Sequence, residues 1–115
     1  MPTDCLFCRI IAGEAPATRV YEDDAVVAIN DVAPQAPLHA LVLPRRHIAT
    51  LNDLQPGDDE LIGAMMRCAA ALARTRGFSE SGYRTLFNCN RDALQSVYHI
   101  HLHVLGGRRF GWPPG

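Results

Sequence analysis

Three of the five histidines in this chain stand at alternate positions near its end, at His99, His101 and His103. Alternate residues of a β-strand share one face, so a strand over residues 96–104 would carry the three imidazoles in a row, about 6.6 Å apart. The opposite face would be apolar and buried, and its residues would be Tyr98, Ile100, Leu102 and Val104. The spacing therefore predicts a strand with one imidazole face and one core face.

The histidine row has three interpretations, which are a solvated surface, a metal site and a catalytic site. A neutral imidazole, with an ordinary pKa of about 6.5, is a good nucleophile and proton carrier near pH 7. A nucleophilic histidine needs an acceptor for its far nitrogen and a donor for the leaving group. Neighbouring histidines and Ser96 offer such donors. The pattern therefore favours a catalytic site over a metal site, and a metal site over a solvated surface.

Length and composition indicate one soluble domain over residues 1–115. Hydrophobic residues make up 48% of the chain and charged residues 20%, which is typical of a globular domain. The net charge of −1 gives no electrostatic reason to expect binding to nucleic acid or to an anionic membrane. No apolar run approaches the roughly 20 residues of a membrane span, and no signal peptide is recognisable. We therefore expect a cytoplasmic protein whose four cysteines are reduced.

Periodicity and turn signals predict an α+β fold. A short helix is expected over 5–13 and a long helix over 58–77, where an acidic first turn precedes an apolar stripe. Strands are expected over 19–22, 25–30, 39–44 and 83–88, followed by the histidine strand. The strand over 39–44 is nearly all apolar and is predicted to be central. These elements favour an antiparallel sheet with helices on one side.

Cys5 and Cys8 form a Cys-x-x-Cys pair with several interpretations. A redox pair is disfavoured because no strand precedes it, and Cys68 and Cys89 are not spaced to complete a zinc ribbon. Both of these cysteines are expected to pack as small apolar residues. Two histidines would complete a closed Cys2His2 zinc site, with His47 and one member of the row as candidates.

Other polar residues are ambiguous from the sequence. Asp31 and Asn88 fit either a sugar hydroxyl or an ordinary turn, and His39 fits a buried, hydrogen-bonded core histidine. Trp112 is either a packing residue or an interface anchor. The arginine pairs 45/46 and 108/109 are predicted to be solvated.

The segment His99-Ile100-His101-Leu102-His103-Val104 resembles the signature of the histidine triad (HIT) family. The surrounding segments resemble the Hint branch of that family over almost the whole chain, and they are Asp31 to His39, Gln95 to Tyr98, Gly106 to Arg108 and Trp112 to Gly115. This resemblance implies a five-stranded antiparallel sheet with one short and one long helix per protomer. It also implies a homodimer that pairs the long helix and the 83–88 strand, with the Trp112 tail near the partner's site.

The resemblance implies an enzyme that hydrolyses purine nucleoside 5′-phosphoramidates, such as an adenylate joined to an amine or to lysine. His101 would attack the α-phosphorus and form a nucleotidyl-histidine, which water then hydrolyses without a catalytic metal. The catalytic group would comprise His101, His103, Ser96 and the carbonyl of His99. His103 and Ser96 would hydrogen-bond the phosphate or the leaving group. The substrate-binding group would comprise Asp31 at the ribose, Asn88 and Gln95 lining the pocket, His39 completing the histidine network, and Leu6, Phe7, Ile10, Ile29 and Val32 around the base.

The resemblance also implies a structural zinc ion held by Cys5, Cys8, His47 and His99. One position departs from the family, which often has glycines where this chain has Ala93 and Leu94. We expect Leu94 to narrow the phosphate pocket or to alter the path of its loop.

Two other functions remain open at the level of the sequence. One is a dinucleoside polyphosphate hydrolase or another nucleotidyl transferase of the superfamily. Gln95 and Ser96 before the triad favour the phosphoramidate branch, since no glutamine follows the triad. The other function is a nucleotide-binding scaffold with little turnover.

Overall fold

The computed structural model describes residues 4–115, and it contains one antiparallel sheet and two α-helices. Helix α1 spans Leu6–Ile11 and helix α2 spans Asp59–Thr75. The strands are β1 (Arg19–Glu22), β2 (Val26–Asn30), β3 (Leu38–Pro44), β4 (Tyr83–Leu86) and β5 (Leu102–Gly106). They are ordered β1-β2-β3-β5-β4. The predicted α+β class, with five antiparallel strands, one short helix and one long helix, is confirmed.

Strand β3 is central, as predicted, and its two faces belong to two different cores. Ala40 and Val42 pack into a core with α2, whereas Leu41 and Leu43 pack into a second core with Phe7 of α1. A strand that is apolar throughout places buried side chains on both faces of the sheet, so both faces must be covered. The expectation of helices on one side was therefore wrong, because α1 and α2 cover opposite faces.

The histidine strand begins later than the spacing predicts. Strand β5 starts at Leu102, and Val42 is its partner on β3, so continued pairing would place Ile100 opposite Pro44. Proline has no N–H group to donate to the ladder. The N–H of Ile100 instead donates to the carbonyl of Ile48, at 2.7 Å. Of the three histidines in the row, the strand contains His103 alone.

The apolar face of the row is buried except at its beginning. Ile100, Leu102 and Val104 are buried in the core beneath α2. Tyr98 is 48% exposed, so its predicted burial was wrong. It precedes the ladder, and the alternation of a strand therefore does not apply to it.

Helix α2 covers β3 and β5 on the face opposite α1. Asp59 and Glu60 occupy its first turn, where the helix dipole favours negative charge. Gly77 follows the helix with a φ of +83°, which glycine adopts without strain. Within residues 4–115, no helix combines the length and the apolar character that a membrane span requires.

Candidate active site

His101 is held in one orientation by the backbone of the row itself. Its Nδ1 lies 2.8 Å from the carbonyl oxygen of His99. A carbonyl only accepts, so Nδ1 carries the proton of the neutral ring and Nε2 keeps its lone pair. The side chain is buried, and this burial lowers the pKa of His101 below 6.5. His101 is thus a neutral imidazole with Nε2 as its nucleophilic atom.

His39 and His103 form a second pair with a defined direction. The backbone N–H of Gln35 donates to Nδ1 of His39 at 3.0 Å, which leaves the ring proton on Nε2. That Nε2 lies 2.9 Å from Nδ1 of His103 and 3.4 Å from a carboxylate oxygen of Asp31. His39 therefore donates to His103, whose own proton must sit on Nε2.

The charge state of His103 supports this direction of the hydrogen bond, from His39 to His103. Burial, followed by the neighbouring rings of His101 and His39, lowers the pKa of His103 to about 4. Burial also lowers the pKa of His39, partly offset by Asp31. Both rings are therefore neutral near pH 7, and each carries one proton.

His99 faces away from this pair and completes a cluster with Cys5, Cys8 and His47. Its Nε2 donates to the carbonyl of Pro44 at 2.8 Å, which leaves Nδ1 free as a ligand. Nδ1 of His99 lies 3.2 Å from Nδ1 of His47, and 3.4 and 3.6 Å from the sulfurs of Cys5 and Cys8. Nδ1 of His47 also lies 3.4 Å from Sγ of Cys8.

These distances are close to the edges of a zinc tetrahedron. Bonds of about 2.05 Å to nitrogen and about 2.3 Å to sulfur separate two nitrogens by about 3.3 Å, and a nitrogen from a sulfur by about 3.6 Å. Burial, with the hydrogen bond and charge of Cys5, raises the pKa of the Cys8 thiol to about 11. A bound cation would lower this pKa again, because it stabilises the thiolate. The donor set and its geometry suit zinc.

A cavity of about 250 Å³ opens beside His101 and His103. Most of its lining residues are apolar, and Asp31 and Ser96 are among the polar ones. The full lining is Leu6, Phe7, Ile10, Pro16, Ala17, Ile29, Asn30, Asp31, Val32, Leu41, Ser96, Val97, His101 and His103. An apolar cleft with a few convergent polar groups is typical of a small-molecule site.

Comparison with known proteins places this chain in a family. Residues 4–109 match the family model described as scavenger mRNA decapping enzyme C-term binding. The crystal structure of a HIT family hydrolase from Legionella pneumophila superimposes with a TM-score of 0.95 and 53% identity, covering 97% of this chain and all of that chain. The chain belongs to the histidine triad family.

Two further relatives bear on the chemistry of this HIT protein. The purine nucleoside phosphoramidase of Escherichia coli (strain K12) is 44% identical over 111 residues, covering 96% of this chain and 93% of that protein. A zinc-bound histidine triad protein from Mycobacterium smegmatis is 35% identical, with a TM-score of 0.79 and coverage of 97% of this chain and 80% of that chain. These similarities support hydrolase chemistry and a cluster suited to zinc.

Most site residues of the HIT protein that the sequence predicted surround the cavity. Nine of them line it, namely Leu6, Phe7, Ile10, Ile29, Asp31, Val32, Ser96, His101 and His103. Within residues 4–115, three other predicted residues do not line this cavity. His39 is hydrogen-bonded to His103, Asn88 is half-buried, and Gln95 is buried with its side chain bound to backbone atoms.

Gln95 braces the segment that precedes the histidine row. Its side-chain oxygen accepts from the N–H of Asn90 at 2.9 Å. Its amide nitrogen donates to the carbonyls of Ala49 and Val97, at 2.8 and 3.1 Å. Gln95 therefore fixes the path of the loop rather than lining the cavity.

The lining of the HIT protein also includes residues that sequence reasoning missed. These are Pro16, Ala17, Asn30, Leu41 and Val97. Leu41 had a usable signal, because it lies two residues after His39 on one strand and shares its face. Pro16 and Ala17 lie in a loop, and local patterning gives no information on where such a segment packs.

The departure from the family at Ala93 and Leu94 affects the backbone and not the cavity. Leu94 is 82% exposed and is absent from the lining among the described residues, so it does not narrow the pocket. It adopts φ +62° and ψ +40°, a left-handed conformation that glycine adopts more easily. Asn90, at the other end of the same turn, has φ +66°.

Proposed function

We propose that this HIT protein hydrolyses purine nucleoside 5′-phosphoramidates to the nucleoside monophosphate and an amine. The observation that carries the proposal is the fixed tautomer of His101 at the wall of the cavity. Its Nδ1 is bound to the carbonyl of His99, and its Nε2 is the available nucleophile. The 44% identity to a purine nucleoside phosphoramidase supports this substrate class.

In the first step, Nε2 of His101 attacks the α-phosphorus. A phosphorus–nitrogen bond to His101 forms as the bond to the substrate amine breaks. The departing amine needs a proton, and Nε2–H of His103 is the donor that the His39–His103 hydrogen bond presents. Loss of this proton leaves a negative charge on His103, which the positively charged nucleotidyl ring of His101 balances from a centroid distance of 5.1 Å until water returns the proton. The carbonyl of His99 stabilises the positive charge that develops on the attacking ring.

In the second step, water attacks the phosphorus of the nucleotidyl-His101. The bond between phosphorus and Nε2 breaks and returns the lone pair to His101. His103, which lost its proton in the first step, takes the proton of the water and regains its starting form. The cycle balances with one water consumed, and no metal takes part.

The cavity provides a site for the nucleoside. We propose that the carboxylate of Asp31 accepts hydrogen bonds from the ribose hydroxyls, since it is one of the polar residues of the lining. The apolar part of the lining would pack against the base, and its residues include Leu6, Phe7, Ile10, Ile29 and Val32. Ser96 also lines the cavity and offers a hydroxyl to the phosphate or the leaving group. Gln95 would support the loop before the histidine row through its hydrogen bonds to backbone atoms.

The first prediction tests the nucleophile. The protein is expected to convert adenosine phosphoramidate to AMP, and His101→Ala to lose at least about a thousandfold in kcat, since the covalent route is removed. Mass spectrometry after a brief substrate pulse should find the nucleotidyl adduct on His101. Equal rates for both proteins would contradict the mechanism. The two other functions can be tested with the same protein. Hydrolysis of a dinucleoside polyphosphate in place of adenosine phosphoramidate would indicate the second enzymatic function. Tight binding of AMP without turnover of either substrate would indicate a nucleotide-binding scaffold.

We propose that Cys5, Cys8, His47 and His99 hold one structural zinc ion. The ion would connect α1 to the segments that follow β3 and precede β5. Purified protein should contain about one zinc per chain by metal analysis, and Cys8→Ser should lose the metal and unfold at a lower temperature. Cys68→Ser, on α2, is the matched control. A wild-type protein that takes up no zinc on titration would refute the site.

We propose that the protein is a cytoplasmic homodimer. Reduced thiolates are needed for the zinc site, and all four cysteines are free. Strand β4 is an edge of the described sheet, and Met66 on α2 is 42% exposed, so both elements present surface to a second copy. The exposed Trp112 tail would then approach the partner's cavity. Light scattering during gel filtration would give the mass of either a dimer or a monomer.

A further inference from the structure

Arg108 belongs to an arginine pair that the sequence predicted to be solvated. It is exposed, as predicted, and its side chain also makes defined contacts. Its Nε donates to the carbonyl of Gln35 at 2.7 Å, across 73 positions of the sequence. Its guanidinium lies 4.3 Å from the ring centroid of Phe110. Arg84 lies over the same ring, at 5.0 Å, and donates to the carbonyl of Gly111 at 3.0 Å. The segment after β5 is thus held against the loop that carries Gln35.

Gln35 is bound on both sides through its backbone. Its carbonyl accepts from Arg108, while its N–H donates to Nδ1 of His39 at 3.0 Å. Its side chain donates to the carbonyl of Ala33 at 2.9 Å, within the same loop. Arg76 binds the loop again at the carbonyl of Pro37, at 3.0 Å. One residue therefore connects the segment after β5 to the histidine pair.

The N–H of Gln35 decides the tautomer of His39. With this donor in place, Nδ1 of His39 must accept and Nε2 must carry the proton. If the donor moved away, Nδ1 could hold the proton instead, and Nε2 would face His103 with a lone pair. His103 would then carry its proton on Nδ1, where it donates to His39, and its Nε2 would have only a lone pair.

We propose that Arg108 is a positioning residue that fixes the proton arrangement of the His39–His103 pair by holding Gln35. The catalytic consequence rests on the proposed function, because it concerns the proton delivered to the leaving amine. Arginine suits the position, since a planar guanidinium stacks on Phe110 while its Nε edge points to an acceptor. Lysine can donate to Gln35 but does not stack in this way.

The first experiment reads the tautomer without any substrate. Nitrogen-15 NMR of histidine-labelled, zinc-loaded protein distinguishes a protonated Nδ1 from a protonated Nε2. The wild type should show His39 and His103 protonated at Nε2. Arg108→Ala should show a mixture at His39, and Arg108→Lys should fall between the two.

Arg109→Ala is the matched control for these variants. Among the described residues, the side chain of Arg109 makes no hydrogen bond, and its backbone carbonyl is unchanged by the substitution. Thermal unfolding confirms that each variant is folded. If Arg108→Ala does not fold, Arg108→Lys decides the outcome. A folded variant whose His39 tautomer equals that of the wild type overturns the proposal.

The second experiment separates positioning from general destabilisation. With an alkylamine leaving group, Arg108→Ala should lower kcat about tenfold and leave KM nearly unchanged. This loss is smaller than the roughly hundredfold or more that general acid catalysis contributes, because the proton arrangement is mixed and not abolished. With a p-nitrophenyl ester of AMP, whose leaving group needs no proton, the fall should be less than about twofold. Equal losses on both substrates would refute the role of Arg108. If the wild type hydrolyses neither substrate, the proposed function fails, and the NMR result still decides the proton arrangement.

Discussion

The three histidines of the row differ in which ring nitrogen is already bound. His99 donates from Nε2 to the carbonyl of Pro44, while His101 donates from Nδ1 to the carbonyl of His99. His103 accepts at Nδ1 from His39. The free atoms are therefore Nδ1 of His99, Nε2 of His101 and the Nε2–H of His103. In the proposed function these atoms serve as a zinc ligand, a nucleophile and a proton donor, although all three belong to one residue type.

Leu94 adopts a conformation that costs free energy for any residue with a Cβ. We predict that Leu94→Gly raises the free energy of unfolding by about 0.5–1 kcal/mol, because the left-handed strain exceeds the extra chain entropy of glycine. Its side chain is 82% exposed, so little packing is lost. Urea unfolding followed by circular dichroism would measure the change.

Ala93→Gly is the neighbouring control for that prediction. Ala93 ends the 3₁₀ turn Arg91–Ala93, next to Leu94, and has no positive φ. Glycine there should lower the free energy of unfolding by about 0.5–1 kcal/mol. Opposite signs at adjacent positions would establish the strain, and a loss of stability in both variants would contradict it.

At the residue scale, the sequence and the family resemblance predicted most side chains of the site and the role of the His99 carbonyl, but not the tautomers of His39, His99 and His103. The spacing of Cys5 and Cys8, with His47 and the row, was enough to suggest a Cys2His2 cluster. The tautomers depend on backbone groups such as the N–H of Gln35 and the carbonyl of Pro44. Side-chain patterns carry no information about those groups, since every residue has them.

The turn after β5 is the element that brings Arg108 to Gln35, and it depends on Gly107. This residue has φ +95°, and an added Cβ would lie 2.9 Å from atoms of Pro37 and Phe78. We predict that Gly107→Ala lowers the free energy of unfolding by about 1–3 kcal/mol, because overpacking and backbone strain combine. Chemical denaturation would measure the loss.

Gly57 offers a control glycine in an unconstrained position. A Cβ there would have no heavy atom within 4 Å, and its φ is not positive. Gly57→Ala should change the free energy of unfolding by no more than about 0.5 kcal/mol. Similar losses at both glycines would contradict the argument from close packing.

Element positions followed from the sequence more closely than element boundaries did. The central place of β3 was predicted because an unbroken apolar run needs cover on both faces, although the two helices were then assigned to a single side. The beginning of β5 was missed because Pro44, on another strand, removes the donor opposite Ile100. The boundary of a strand depends on the residue opposite it on the neighbouring strand, and only the register of the sheet identifies that residue.

Buried neutral histidines make the stability of the whole molecule sensitive to acid. An unfolded histidine has a pKa of about 6.5, whereas that of His103 in the fold is about 4. Between these values the unfolded chain binds more protons, so acid favours unfolding. The contribution is complete above about pH 6.5 and is lost as the pH falls towards 4. His39 acts in the same direction.

We predict that the midpoint of urea unfolding falls between pH 7 and pH 5, and falls less in His103→Gln. The zinc ligands are the same in both proteins, so the difference between the two pH profiles isolates the ring of His103. Parallel profiles would show that this ring does not contribute.

The opposite placement of α1 and α2 also determines how this protein can change over evolution. His39 on β3, His103 on β5 and the cavity lie on one face of the sheet, and the main core lies directly beneath, one backbone layer away. A substitution at Ala40 or Val104 therefore shifts the strands that carry the His39–His103 pair. The loops that contribute Pro16, Ala17 and Val32 have no such constraint. Under the proposed function, substrate preference would diversify in these loops, while β3 and β5 keep the His39–His103 pair in place.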